Sequence, residues 1–111
     1  MSSALVDNLQ AKSSALSARL LDVVEAQEAY NAEIAAIDPN SPDANAKLEK
    51  LIIDRNESRA AGKAMVAAAQ KEFKDAIIDI NTNGSSTDIA DAQSIVADQT
   101  NFTNTTIKPR G

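Results

Sequence analysis

Asp38-Pro39-Asn40-Ser41-Pro42-Asp43 interrupts a pattern that is helical on both sides of it. Pro39 keeps Asp38 out of helical geometry and has no N–H to continue the ladder, so a helix arriving from upstream must stop here. Ser41, Pro42 and Asp43 then read as an N-cap, a proline at the first helical position and an acid in the first turn, which start a second helix. Long helices joined this briefly pack antiparallel, so the stretch predicts a hairpin folding about Asn40.

Upstream, the residues Leu5, Leu9, Lys12, Leu16, Leu20, Val23, Gln27, Tyr30, Ile34 and Ile37 follow one another in steps of three and four. That period describes one helix over about 3–37 with a continuous stripe. The steps between Lys12 and Val23 depart from heptad spacing and relax left-handed supercoiling, so the helix should run nearly straight. Downstream, Leu48, Ile52, Arg55, Arg59, Gly62, Val66, Ala69, Phe73, Ala76 and Ile80 repeat the pattern over a helix of about 42–81. The expected register sets Leu20, Leu21, Val23 and Val24 against Ala60, Ala61 and Gly62, large side chains against small. It also sets Leu5 and Leu9 near Phe73 and Ile77. The hairpin core is accordingly Leu5, Leu9, Leu16, Leu20, Val23, Leu48, Ile52, Gly62, Val66 and Phe73.

Residues 1–83 therefore form the hairpin, and 84–111 a smaller appendage. Asn83-Gly84 supplies left-handed backbone to stop the second helix, and Ser85 to Asp88 cap a short third helix over about 88–98. Ile89, Ala92, Ile95 and Val96 lie on one side of it. The remainder, 99–111, is rich in Thr and Asn and reads as an extended polar arm. The fold class is all-α: a long, coiled-coil-like antiparallel hairpin with a short third helix and an extended C-terminal tail.

Composition narrows the function. Apolar residues make up 43% of the chain but aromatics only 3%, which favours thin helices in close contact over a thick core with a substrate cavity. Cys, His and Trp are absent, which removes thiolate and imidazole metal sites and the usual nucleophile–base systems. No carboxylate pair is isolated in an apolar setting, so no catalytic residue, cofactor or small-molecule substrate is assigned and the expectation is a non-enzyme. The net charge of −5, with bases interleaved among acids, disfavours nucleic acid as a partner. Neither a membrane span nor a cleavable signal peptide is expected.

Asp79-Ile80-Asn81-Thr82-Asn83-Gly84 resembles the opening of a calcium loop, with oxygen ligands at alternate positions before a glycine. The twelfth position, which needs a bidentate acid, is Ala90, so the motif reads as a helix stop and no metal is assigned. Asn101-Phe102-Thr103 and Asn104-Thr105-Thr106 match the glycosylation acceptor pattern and read as polar tail. Arg55 and Arg59, on the stripe of the second helix, either border another subunit or pair with Glu25 and Glu28 across the hairpin.

A two-helix hairpin dries one stripe from each partner, so the apolar residues off that stripe, Val6, Leu21, Val24, Ile53, Met65 and Ile78, are expected to meet other subunits. Self-assembly into an oligomer follows as the leading expectation, by protein–protein interaction with copies of the chain or other structural subunits. The turn Pro39-Asn40-Ser41-Pro42, with Arg55-Asn56, Ser58, Lys63, Lys71-Glu72-Phe73-Lys74-Asp75 and Ile77-Ile78 after it, resembles the type III secretion needle subunits. In that family a helical hairpin carries a Pro-x-x-Pro turn, then an Arg-Asn pair, Ser and Lys, a K-x-x-K-D stretch and a terminal Ile-Ile. The resemblance implies a hollow helical filament outside the cell, exported without a cleaved signal; this chain continues past the point where such subunits end. A virion structural protein, capsid-reinforcing or tail-associated, and a dimeric helical adaptor or chaperone-like regulator are the alternatives.

Overall fold

A computed structural model describes residues 3–107, in which three helices follow one another: α1 over Ala4–Ala35, α2 over Ala44–Asn83 and α3 over Ser86–Phe102. A π-helical turn, Thr103–Ile107, continues α3. α1 and α2 form the long antiparallel hairpin, so the class is all-α, and the molecule measures 65 × 22 × 18 Å.

Each boundary has a local cause. The Ser3 hydroxyl accepts from the Val6 N–H and caps α1 at its start. In the connection the Asn40 N–H donates to the Asp38 carboxylate and the Ser41 N–H to the Asp38 carbonyl, a tight Asx-type turn. The Ser41 hydroxyl is spent on Asp43, whose own carbonyl accepts from the Lys47 N–H. Ser41 is therefore not the N-cap; Asp43 holds that position, and α2 starts at Ala44. This delay displaces the hairpin axis. Asn31 faces Arg55, Gln27 faces Arg59 and Val23 faces Gly62, so the fold centres on residues 42–43, not on Asn40.

At the far end of α2 the chain turns at Gly84 with φ −84° and ψ 161°, extended backbone and not the left-handed conformation expected of Asn83-Gly84. What requires glycine is space. A Cβ here would stand 2.6 Å from the Ile80 carbonyl oxygen and 3.1 Å from the Asp88 Cβ. Ser85 then caps α3 in a reciprocal capping box: its hydroxyl accepts from the Asp88 N–H at 3.1 Å, and its own N–H donates to the Asp88 carboxylate at 3.0 Å.

α3 folds back along the hairpin parallel to α1. The Ser3 hydroxyl reaches Asp88 at one end, and Ser13 and Ser17 donate to the Gln99 side-chain oxygen at the other. The three helices enclose one core of Val6, Leu9, Leu16, Ala69, Phe73, Ala76, Ile80, Ala92 and Ile95, in which Leu9 and Ile80 are fully buried. α3 is longer than its apolar residues suggest, and residues 99–107, expected to be extended, are helical. There the Thr103 and Thr105 hydroxyls donate to the carbonyls of Gln99 and Asn101, a back-bonding that accommodates the wider π turn. The last part of the expected arm, 108–111, lies outside the described residues.

Two predictions follow from these contacts. An alanine Cβ at position 62 would stand 2.7 Å from the Val23 Cγ2, on a β-branched side chain with little freedom in a helix. Gly62→Ala gains about 1 kcal/mol of helix propensity but overpacks the seam by more, for a net loss of about 1 kcal/mol. Made on a Val23→Ala background the same change should stabilise, a reversal of sign readable in urea titrations. The Asp88 carboxyl is held below its ordinary value, chiefly by the Ser85 N–H and then by the Ser3 hydroxyl. A depressed folded-state pKa contributes stability that is complete above the unfolded value and lost as pH falls through the folded one. Thermal melts between about pH 5 and pH 2 should show a shallower acid decline for Asp88→Asn than for the parent chain.

Candidate interaction surface

α3 is 17 residues long and spans about 25 Å, less than half of the hairpin beside it. Its cover ends near Leu21, which lines a groove with Ala18, Gln99 and Phe102. Beyond that point only α1 and α2 remain, and the burial changes abruptly. From Ser17 to Ala68 the single buried residue is Ala44, while Leu20, Val23, Val24, Ile34, Ile37, Leu48, Leu51, Ile52 and Val66 are all half-exposed. The molecule has a three-helix base and a two-helix prong.

The seam of the prong is partly polar. Arg55 donates to the Asn31 side-chain oxygen at 3.0 Å and Arg59 to that of Gln27 at 2.9 Å, so amides of α1 accept from both guanidiniums. The Gln27 Nε2 and the Arg55 Nε are closed off from solvent and have no hydrogen-bond partner. A buried donor left unpaired costs about 1–3 kcal/mol, which the prong's thin apolar stripe does little to offset. Beside this seam Val23, Ala26, Ala61, Gly62 and Met65 line a mainly apolar groove of about 210 Å³, bordered by Arg19 and Asp22, which pair at 3.6 Å.

The residues expected to meet other subunits divide into three groups. Val6 is a correction: only 8% exposed, it is buried within the chain, because α3 covers the side of α1 that two helices alone would leave wet. Leu21 and Val24 are half-buried. Ile53, Met65 and Ile78 are 56%, 46% and 62% exposed, large apolar side chains in water along the whole of α2. Of the residues expected in the hairpin core, Leu9, Leu16 and Phe73 are buried; Leu5, Leu20, Val23, Leu48, Ile52, Gly62 and Val66 are half-buried. Ser13 and Gln99 are buried without having been singled out, since neither polar residue carries an apolar signal.

Asp79 to Asn83 lie on the last turns of α2, where the Asn83 amide donates to the Asp79 carboxylate. Alternate residues of a helix point in different directions, so these side chains do not converge as a calcium loop requires. The charges elsewhere form mostly exposed pairs along single helices, Lys50–Asp54 and Lys71–Asp75 at 2.9 Å each, while Lys12–Glu72 crosses the hairpin at 3.8 Å. Pairs of this kind contribute about 0–1 kcal/mol and mark a solvated face. No helix among the described residues is long and apolar enough to cross a membrane. No family model matches the chain, and neither a curated protein nor a solved structure matches it.

A base dried by three helices and a prong dried by two should open with different free energies. Native-state hydrogen exchange is expected to show prong amides, such as those of Gln27 and Arg55, opening well below the free energy of global unfolding. Amides of Leu9, Phe73 and Ile80 should report the global value. Uniform protection along both helices would contradict the division.

Proposed function

We propose that this chain is a non-enzymatic structural subunit of a multi-subunit assembly and that the prong is where the subunits meet. The observation that carries the reading is the contrast along one hairpin: Leu9 and Ile80 are fully buried, yet between Ser17 and Ala68 no side chain larger than alanine is. α3 supplies the third apolar stripe at the base, and a partner helix supplies it at the prong. The partners are copies of the chain or other structural subunits, and the reading assigns no residue a chemical step.

The resemblance around Pro39-Asn40-Ser41-Pro42 favours one form of assembly, a helical filament outside the cell built in the manner of a secretion needle. Long hairpins that expose apolar side chains along their length, as Ile53, Met65 and Ile78 are exposed here, suit lateral packing into such a filament.

Light scattering coupled to size exclusion, with negative-stain microscopy of the same concentrated sample, tests the reading. Filaments or large oligomers that dissolve on introducing Ile53→Glu with Met65→Glu are the expected result. As surface changes, these should alter the unfolding free energy of the single chain by no more than about 0.5 kcal/mol each. A chain that stops at a dimer would favour the adaptor, or a virion component awaiting its neighbour. A monomer at every concentration, or assembly indifferent to both substitutions, would remove the self-assembling subunit.

A further inference from the structure

The corner between α2 and α3 consists of Gly84 and Ser85 alone, and its geometry excludes any side chain at position 84. A Cβ there would press on the Ile80 carbonyl oxygen at 2.6 Å and the Ile80 Cγ2 at 3.2 Å. The bent corner therefore depends on this glycine, whereas a continuous helix through 84–85 needs no glycine at all. α3 is held by a small set of its own buried residues, Ala92, Ile95 and Gln99. The Gln99 oxygen receives both Ser13 and Ser17, at 2.7 and 3.1 Å, and its buried Nε2 has no partner. The latch is thus specific in its donors and incomplete in its satisfaction.

We infer that α3 is an exchangeable helix: when the corner at Gly84-Ser85 straightens, α3 leaves its own hairpin and docks in the same groove of a second copy of this chain. Straightening uncovers Val6, Leu9, Ser13, Phe73 and Ile80, and the segment that fits this groove is known because α3 itself fills it. Reciprocal exchange gives up the capping box at Ser85 but restores in both copies the contacts of Ala92, Ile95 and Gln99, so the dimer forms without any new interface having to be built. Gly84 sets the balance by permitting the bent form. This goes beyond the packing of prongs proposed above and uses a different part of the molecule.

The test takes advantage of a chain without cysteine. One sample carries Ser13→Cys and the other Gln99→Cys; the two are mixed, unfolded, refolded together at high concentration and treated with a short bis-maleimide. Exchange brings position 13 of one copy beside position 99 of another. Mixed cross-linked dimers should then exceed both kinds of like-with-like dimer several-fold, with a further increase when both chains also carry Gly84→Ala. Mixed dimers at or below the statistical share would overturn the inference, as would a share unchanged by Gly84→Ala in chains that fold. If Gly84→Ala does not fold, the parent pair decides by the same criterion. Ile53→Glu with Met65→Glu should leave the mixed dimer in place, which separates failure of this inference from failure of prong assembly.

Discussion

Two helices laid side by side remove from water only the stripe each turns toward the other, and here alanine and glycine narrow that stripe further. Ala26, Ala61 and Gly62 let α1 and α2 approach closely, but they bring little apolar area to the contact. Ordering the backbone costs about 1–2 kcal/mol per residue whatever the side chain, so the hairpin needs a third source of burial to be stable. α3 is that source. Its position decides where the core lies, why Val6 faces inward and why the rest of the hairpin stays half wet.

The polar residues on the seam fall into place around the same shortage. Where α3 is present, Ser13 and Ser17 of α1 find an acceptor in the Gln99 side-chain oxygen, at the cost of a buried Gln99 Nε2 without a partner. Where it is absent, Arg55 and Arg59 lay their stems along the seam and carry their charged ends to Asn31 and Gln27. Both guanidiniums are thereby held on the seam by amide oxygens of α1. Hydrogen bonding and packing thus change character at the same place, near Leu21 and Val66.

The hairpin was legible from the sequence because its signals are local: Pro39 forbids continuation of α1, and the three-and-four spacing of Ala69, Phe73, Ala76 and Ile80 survives intact as a buried face. The third helix was legible through Ser85 to Asp88, expected to cap it, and the cap takes the form of a reciprocal capping box. What escaped depends on partners remote in sequence. Ser13 and Gln99 read as surface residues until α3 is laid against α1. The displaced register came from the Ser41 hydroxyl turning to Asp43, a choice among competing acceptors that spacing does not reveal. Residues 99–107 carry low helix propensity, and the hydroxyls of Thr103 and Thr105, counted against a helix, bond to its carbonyls instead.

The uneven core also sets how the molecule would respond to a pull. Tension that parts the two helices at the Pro39 end works against two helices alone, since α3 ends near Leu21 and leaves Ile37 and Leu48 half-exposed. Rupture would advance at low force along the prong and then halt at Leu16 and Ala69, where three helices must yield together. The chain is graded like a clothes peg, with compliant jaws and a stiff spring, and a load at its tip is absorbed before it reaches the core.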